Sequence, residues 1–410
     1  MSWPSGRRTR LHALFARRDV TGRPDMPMLS VYRDYGVTPR DGRDHNYNKP
    51  GQDLAAYRVV RQGDLVLNKM KTWQGSLGIS DYDGIVSPAY FVARPLTDDN
   101  PAFLHHLLRS PPLIAEYGAR SKGIRPSQWD LPWDEFRNIV VEIPPLSIQR
   151  AIADYLDCET SRIDALMVAK RRMITLLEEQ RTLILLQHVA PHLLSHGRVP
   201  DDWHTTRLKY LFYPPVAGAW GNEPEGSSLD TLCIRVADFD RRRFRVHERA
   251  ATLRSVEPTT RHKCLLTTGD VLIEKSGGGE AQPVGFAVVF DLDADAICSN
   301  FVARLRPRPD LEPAYGGLIL AAAYRAECNV PFVKQTTGIQ NLDLPAYLSL
   351  PWYVPDRASQ VRLCDRLESV FSTIDRINDM LDRQLILLQK RRQALITVAV
   401  TGQLDIPEAA

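Results

Sequence analysis

The chain contains two kinds of hydrophobic pattern, and each kind occurs twice. Residues 1–145 and 197–353 hold short apolar runs bounded by Gly, Pro, Asn and Asp, which predicts strands joined by tight turns. Residues 146–196 and 354–404 hold apolar residues three and four positions apart with charged residues between them, which predicts long helices. Residues 405–410 form a tail. The predicted order is module one (1–145), a helical region, module two (197–353) and a second helical region.

The two modules are copies of each other. Residues 63–95 contain GDLVLNK, GSLGIS and SPAYFVARP, and residues 269–307 contain GDVLIEK, PVGFAVV and CSNFVARLRP in the same order. Further along, the Asp-Leu-Pro at residues 130–132 recurs at residues 343–345. A repeat of this kind gives one chain the approximate twofold symmetry that a dimer usually supplies. Such a chain can present two related but different surfaces.

A helix is expected inside each module, over residues 102–117 and 315–328, where apolar residues are spaced for one buried face. The modules are therefore expected to be α/β units, and the whole chain α+β. The long helical regions differ from these short helices. A helix of about 40 residues is roughly 60 Å long, and its apolar stripe needs a partner along that length.

Packing on the helix's own module, or a dimerisation zipper, would cover such a stripe. The chain already holds two such helices, however, and each can cover the apolar stripe of the other. We therefore expect two pseudo-twofold-related α/β modules joined by two long helices that form an antiparallel coiled coil. The side chains expected to meet in its seam are Ile152, Tyr155, Ile163 and Leu166 from the first helix and Leu367, Ile374, Ile377 and Leu381 from the second.

Composition and charge narrow the function classes. The chain is 44% hydrophobic and 25% charged, as in ordinary globular proteins, and its formal charge of +3 is too low for a non-specific nucleic-acid coat. Local basic runs such as Arg241-Arg242-Arg243 are usually solvated, and some contact phosphate. No apolar run has the length of a membrane span or of a signal-peptide core, so a cytoplasmic protein is expected.

No metal site or catalytic centre is expected. The six cysteines are scattered without a C-x-x-C pair, which predicts free thiols. The glycines at 277–279 lack the Gly-Lys-Ser/Thr of a phosphate-binding loop. Glu274 suggests a metal-dependent nuclease, but Asn68 takes its place in the other copy. Histidines 188, 192 and 196 are spaced for a metal on a helix, but Pro191 breaks that helix.

Two loops in each module combine the side chains that suit DNA recognition. Arg and Lys read guanine, Asn and Gln read adenine, and Ser and Thr bind phosphate. The candidates in module one are Lys69, Lys71, Trp73, Gln74, Lys122, Arg125, Ser127 and Gln128. Those in module two are Lys275, Ser276, Lys334, Gln335, Thr336, Gln340 and Asn341. The sequences that flank these loops match between the two modules, while the side chains within the loops differ. We therefore expect one scaffold with two specificities.

The chain resembles the specificity subunits of type I restriction-modification systems over nearly all of its length. The resemblance rests on paired motifs that follow each β-rich module, each of which is weak alone. They are the Pro-Pro-Leu-Ser-Ile-Gln of residues 144–149 and the matching 354–367, the helix segments 163–181 and 374–392, and the closing Ala-Val-Thr-Gly-Gln-Leu-Asp of 399–405. Two departures are Ile148 and Ser359, where the family commonly has glutamate before the glutamine.

The resemblance implies two target-recognition domains, 1–145 and 197–353, each reading half of a split, asymmetric DNA target. Conserved helices at 146–196 and 354–404 would set the unread gap. The chain would be non-catalytic and bind no cofactor itself. It would dock two modification subunits that methylate adenine with S-adenosylmethionine, and through them restriction subunits that use ATP and Mg. The alternative is a coiled-coil adaptor whose modules bind protein partners.

Overall fold

The structure is a computed structural model, and it describes residues 3, 6–33, 35–40, 53–123, 129–336, 338–404 and 406. The chain divides into two compact units. Unit 1 comprises Met1–Lys170 with Arg383–Ala410, and unit 2 comprises Arg171–Asp382. Module one therefore lies in unit 1 and module two in unit 2, and each unit also holds a segment of both long helices.

Unit 1 begins with the elements of module one. Its strands are β1 Arg7–Arg10, β2 Phe15–Arg17, β3 Leu29–Tyr32, β4 Gly36–Pro39, β5 Arg58–Val60, β6 Leu65–Asn68, β7 Leu77–Ile79, β8 Gly84–Val86, β9 Tyr90–Pro95 and β10 Val140–Ile143. Its helices are α1 Leu11–Leu14, α2 Pro101–Leu108, α3 Pro111–Arg120 and α4 Trp133–Arg137. The first long helix, α5 Leu146–Val189, starts here.

Unit 2 contains module two. Its strands are β11 His204–Arg207, β12 Val216–Ala217, β13 Asp230–Ile234, β14 Phe239–Asp240, β15 Arg245–Val246, β16 Leu253–Ser255, β17 Val271–Glu274, β18 Ser276–Gly277, β19 Ala287–Val289, β20 Ala296–Cys298, β21 Val302–Leu305, β22 Val333–Thr336, β23 Ile339–Leu342 and β24 Pro351–Val354. Its helices are α6 Leu208–Leu211, α7 Pro258–Cys264, α8 Pro313–Arg325 and α9 Leu344–Tyr347, and the second long helix, α10 Arg357–Val400, starts here.

The sheets of the two modules have the same central order. Module one has the four-stranded sheet β2-β9-β6-β7, and module two has β12-β21-β17-β19 within a six-stranded sheet that β15 and β14 extend. In both modules the first strand pairs antiparallel with the last, β1 with β10 and β11 with β24, directly before a long helix. The expected α+β fold class with two related modules and two long helices is therefore confirmed.

The expected module helices need correction. The helix predicted over residues 102–117 is two helices, α2 and α3, because Pro111 and Pro112 start a new helix after Ser110. In module two, α8 starts at Pro313 and ends at Arg325, three residues before the predicted end. Glu327 then takes a left-handed conformation with φ of 57°, which stops the helix.

In unit 1, the start of α5 packs against the end of α10. Ile152 is buried in one core with Leu156, Ile396 and Val400. Farther along, Arg392 pairs with Asp164 at 3.1 Å, and Lys170 Nζ donates to Gln384 Oε1 at 2.6 Å. The α10 number falls as the α5 number rises, so these segments run antiparallel.

In unit 2, the start of α10 packs against the end of α5. Leu367 and Ile374 share a core with Leu185. The pairing predicted for the seam is therefore wrong, because Leu367 and Ile374 belong to this core and not to that of Ile152. Ile163 and Leu381 are buried as expected, and Tyr155 and Ile377 are partly buried. Leu166 is 51% exposed and is not a seam residue.

Candidate nucleic-acid interface

The two candidate loops of module one lie together. Leu131 N donates to Lys69 O at 3.2 Å, and Lys69 Nζ lies 2.7 Å from Asp130 Oδ2. The rings of Trp73 and Trp129 are 5.2 Å apart between centroids. Backbone, charged and aromatic contacts thus join residues 69–74 to the segment around residue 130.

Side-chain hydrogen bonds fix the backbone conformation of the loop after β6. Thr72 is buried, and its hydroxyl donates to Asn68 O at 2.8 Å. The half-buried Trp73 donates from Nε1 to Met70 O at 3.0 Å. This bracing makes Trp73 a supporting residue of the loop. Lys71 and Gln74 are exposed beside it, as a reading role requires.

Of the candidates in the second loop of module one, only Lys122 lies within the described residues. It is exposed, and its Nζ donates to Glu135 Oε1 at 2.9 Å. This hydrogen bond is the main cause that holds the pKa of Glu135 below its usual value. The other candidates in this loop, Arg125, Ser127 and Gln128, lie outside the described residues.

In module two the second loop is a β-hairpin. Strands β22 and β23 are joined at Gly338, whose φ of +85° favours glycine. The hairpin is fastened to the first loop, because Leu342 N donates to Lys275 O at 2.8 Å and Ser276 Oγ donates to Asn341 Oδ1 at 2.7 Å. The two loops of each module therefore meet at the carbonyl of the corresponding lysine, Lys69 or Lys275.

The hairpin register decides which side chains face outward. Lys334 pairs with Asn341, and Gln335 pairs with Gln340, so the two pairs lie on opposite faces. Gln340 is only 7% exposed, and its Oε1 accepts from Val284 N at 3.3 Å. Gln340 is therefore a buried support, and its predicted role in base reading is wrong. Lys334, Gln335 and Asn341 are exposed, while the side chain of Thr336 lies outside the described part.

A repeated aspartate holds a lysine in each module. Asp130 pairs with Lys69 in module one, and Asp343 pairs with Lys334 at 2.7 Å in module two. The hydrogen bond from Lys334 is the main cause that lowers the pKa of Asp343. Exposed pairs of this kind are weak because water screens them, so a phosphate or a base edge can replace the aspartate as the partner of the lysine.

The arginines at residues 241–243 are paired with carboxylates of unit 2, and of the three only Arg243 is exposed. Arg241 donates to Glu274 Oε2 at 2.8 Å, and Arg242 donates to Asp379 Oδ1 at 3.3 Å. Burial raises the pKa of Glu274 while Arg241 opposes that rise, so Glu274 serves as a buried ion-pair partner. Among the described residues, no group of three or more His, Cys, Asp or Glu side chains is arranged to hold a metal ion.

Sequence reasoning missed the exposed apolar side chains of this surface. Ile339 is exposed beside Asn341 on β23. Phe301 is also exposed, and its carbonyl accepts from Lys275 N at 2.9 Å. Apolar side chains contact the thymine methyl group in the major groove. The repeated Phe-Val-Ala-Arg of the two copies was the available signal for Phe301.

The long helices also expose apolar side chains. Those of unit 1 are Leu146, Leu166, Val168, Ile386 and Leu387, and those of unit 2 are Met173, Leu176, Leu183, Val361 and Met380. Exposed apolar groups that cluster on one element often mark a contact with a partner. In the described part of the chain, no helix is both long enough and apolar enough to cross a membrane.

Comparison with known proteins identifies relatives, although no family model matches the chain. The type I restriction enzyme StySPI specificity subunit of Salmonella potsdam is 24% identical over 298 residues. The type I restriction enzyme EcoKI specificity subunit of Escherichia coli (strain K12) is 21% identical over 292 residues. Each comparison covers 70% of this chain and 61% of the relative, so the chain spans about three fifths of the length of the relatives it matches.

Two solved structures have the same fold. A chain from a structure on complex assembly and conformational transition of the type I R-M system matches with a TM-score of 0.65 and 20% identity, over 98% of this chain and 100% of that one. The HsdS subunit from Thermoanaerobacter tengcongensis matches with a TM-score of 0.51 and 18% identity, over 98% of each chain. The resemblance in the sequence is therefore confirmed: this chain shares the fold of HsdS subunits and is related in sequence to the specificity subunits of type I restriction enzymes.

Proposed function

We propose that this chain is the DNA-recognition subunit of a type I restriction-modification complex. It reads a bipartite, asymmetric target with one half-site per module, and it directs adenine methylation and restriction by its partners. One observation carries the proposal. In both modules, two polar loops meet at the carbonyl of an equivalent lysine, Lys69 or Lys275, on matching sheets with different side chains.

The polar surfaces of the two modules suit different base sequences. Module one presents Lys71, Gln74 and Lys122, whereas module two presents Lys334 and Asn341 beside the apolar Ile339. Lysine prefers guanine acceptors, the amides of Asn and Gln pair with adenine, and an aliphatic group contacts thymine. Two related but unequal surfaces therefore favour two unequal half-sites.

The catalytic work belongs to the partners in this proposal. Two modification subunits bind S-adenosylmethionine and methylate adenine, and restriction subunits use ATP and Mg. The chain itself binds no cofactor and supplies no catalytic group. The apolar side chains that the long helices expose are the surface on which the modification subunits dock, because helices bind partner helices through such faces.

The experiment is sequencing of native DNA by a method that detects methyl-adenine, with and without this gene. The proposal expects one bipartite motif to lose methylation when the gene is deleted and to regain it on complementation. Methylation that is unchanged by the deletion, in a strain that keeps the modification subunits, would contradict it.

The alternative is a coiled-coil adaptor whose modules bind protein. The exposed apolar residues of the helices favour partner binding in either case, so they do not separate the two functions. Salt dependence separates them. DNA retention by the assembled complex should fall steeply between 50 and 200 mM salt, by about 10³-fold if six phosphates are contacted. Partner binding that persists while DNA is not retained at any salt concentration would favour the adaptor.

A further inference from the structure

Arg181 joins three parts of unit 2 through one side chain. It lies on α5 and is almost fully buried, and its Nη1 donates to Asp375 Oδ1 on α10 at 2.6 Å. Its guanidinium also lies over two aromatic rings, 4.5 Å from the centroid of Phe371 on α10 and 5.3 Å from that of Phe244 in module two. An arginine can make planar hydrogen bonds and stack on rings at the same time, which lysine cannot do. Arg181 thus ties module two to both helices.

The turn that carries Phe244 is shaped for this contact. Phe244 has a φ of 56°, a conformation that costs a residue other than glycine roughly 1–2 kcal/mol. It is nonetheless buried, with its ring 6.1 Å from that of Phe286 within the module and 6.5 Å from that of Phe371 on α10. Contacts on both sides hold the strained turn in place.

Ion pairs surround this aromatic contact. Arg242 lies 3.3 Å from Asp379 and 3.6 Å from Asp382 on α10, and 3.6 Å from Glu178 on α5. Arg243 is 3.6 Å from Asp379. We call residues 240–244, together with Arg181 and these helix carboxylates, the arginine joint. Because Arg181, Arg242 and Arg243 already have acidic partners on the helices, the joint is a fastening of the module to the helices.

Module two has a second fastening at the beginning of α10. The Oε1 of Gln360 accepts from Glu312 N at 2.8 Å, and its Nε2 donates to Asp310 O at 3.2 Å. Gln360 and Asp375 are about 22 Å apart along α10 at 1.5 Å per residue. A cavity of about 990 Å³ lies between these fastenings, lined by Glu312, Leu367 and Asp375 among others. Between the fastenings, α10 also contacts the module through the apolar Leu367 and through an exposed ion pair of Arg245 with Glu368 at 2.6 Å. Apolar packing is not directional and exposed ion pairs are weak, so the buried hydrogen bond and the ring contact of Arg181 are the directional contacts at this end.

We infer that the arginine joint is a specificity-determining device that fixes the angle of module two on its helices. It therefore enforces the number of unread base pairs between the half-sites. The inference rests on the proposed function. A pair of helices can set a distance on DNA only if each module is held rigidly on its helix segment. The joint contributes to spacing and not to the choice of bases, because its arginines contact protein carboxylates.

The test uses a charge reversal and its compensation in the assembled complex. Arg242→Glu faces Asp379 and Asp382 with a like charge and should open the joint. We expect methylation at gaps one base pair longer or shorter to rise on the order of tenfold relative to wild type, which corresponds to about 1.4 kcal/mol. The half-site bases should stay the same. Combining Arg242→Glu with Asp382→Arg restores an opposite-charge pair, keeps Asp379 for Arg243, and should restore the single gap.

Three controls keep the result interpretable. Arg242→Ala tests the same loss more mildly if the charge reversal prevents folding, as judged by thermal unfolding and by co-purification with the modification subunits. Arg261→Ala removes a different arginine of module two, one that pairs with Asp295 at 2.8 Å, and should leave the gap unchanged. A bipartite methylation motif in wild type would support the proposed function, whatever the variants of the joint show.

Two outcomes would overturn the inference. The first is an unchanged gap in assembling Arg242→Glu and Arg242→Ala proteins. The second is a change in the half-site bases, which would mean that Arg242 contacts DNA. If wild type gave no motif, the proposed function itself would fail, and the inference would fail with it.

Discussion

Gln149 and Gln360 make the same contacts at the beginning of the two long helices. The Oε1 of Gln149 accepts from Asn100 N at 2.7 Å, and that of Gln360 accepts from Glu312 N at 2.8 Å. Each Nε2 also donates to the main-chain carbonyl five residues earlier, at 2.9 Å and 3.0 Å respectively. Both side chains are buried, with 1% and 2% exposed. Each glutamine therefore fastens its module to the helix that follows.

Replacing either glutamine should destabilise its unit. Gln149→Ala and Gln360→Ala each leave a part-buried amide N–H and a buried carbonyl without their glutamine partner, which should lower the free energy of unfolding by about 1–3 kcal/mol. Denaturant titration followed by circular dichroism measures this. Gln180→Ala on the exposed face of α5 is the matched control and should change stability by less than about 0.5 kcal/mol. Equal stability of all three variants would contradict the shared role.

The repeat in the sequence was enough to predict this relationship in outline. Local hydrophobic spacing distinguishes strands from helices, so the two modules and the two long helices could be predicted without a structure. The recurrence of a glutamine after each Pro-containing junction marked Gln149 and Gln360 as equivalent. Their hydrogen bonds to Asn100 and Glu312 span long stretches of sequence, and no local pattern shows such contacts.

The errors in the predicted site have physical causes. The sequence predicts Gln340 as a base-reading residue because its residue type and its place in a polar loop do not reveal which face it occupies. That face depends on the register of the hairpin closed at Gly338, and a shift of one residue exchanges the two faces. The three arginines at 241–243 are expected from the sequence to be solvated or, less often, to contact phosphate, because their acidic partners, such as Asp379, are far away in the sequence. Composition shows the number of charges but not which of them are already paired.

The correction at Leu166 can be tested against Ile374. Ile374 is buried in the core of unit 2, so Ile374→Ala should lower the free energy of unfolding by about 2–5 kcal/mol. Leu166→Ala removes a half-exposed side chain and should cost less than about 0.5 kcal/mol. Urea titration of both variants measures the difference. If Leu166→Ala lowered the free energy of unfolding as much as Ile374→Ala, Leu166 would be packed in the seam and the correction would be wrong.

His105 should make module one sensitive to acid. Burial is the main cause that lowers the pKa of His105 to about 3, and the neighbouring Arg109 adds to the effect. In the unfolded chain its pKa is about 6.5, so protons bind the unfolded state more readily between these values. The contribution of His105 to stability is therefore complete above pH 6.5 and is lost as the pH falls toward 3.

The variant His105→Gln isolates this contribution. Subtracting its free energy of unfolding from that of wild type at each pH cancels the other titrating groups. The difference should change by at most about 1.4 kcal/mol per pH unit between pH 6.5 and 4, with wild type losing stability faster on acidification. Parallel profiles for the two proteins would show that His105 takes up a proton in the folded state as easily as in the unfolded state.

The outward face of the hairpin should determine one half-site. Lys334→Ala combined with Asn341→Ala removes two exposed polar side chains, and each base contact discriminates by about 1–3 kcal/mol. Sequencing of methylated DNA should show one half of the motif relaxed and the other half intact. Gln340→Ala is the control on the inward face, and it should lower stability without changing the motif. Equal relaxation of both halves by the double variant would contradict the assignment of one half-site to each module.

The last prediction treats the long helices as a ruler for the unread gap. The boundary between the two units falls after Lys170 in α5 and after Asp382 in α10. Inserting seven residues of heptad sequence at both places leaves the packed core of each unit intact and preserves the spacing of the seam. Each helix becomes about 10 Å longer at 1.5 Å per residue. At about 3.4 Å per base pair, the unread gap should grow by about three base pairs.

The bases of both half-sites should stay the same in the insertion variant, because neither module has been changed. Three base pairs also turn the duplex by roughly 100°, a little more than a quarter of a helical turn, so overall methylation should fall even while the motif lengthens. A single insertion, after Lys170 alone, is the matched control, since it lengthens one helix without its partner and should disrupt assembly. Sequencing of methylated DNA decides the matter: an unchanged gap in an assembling double-insertion variant would show that the helices do not set the spacing.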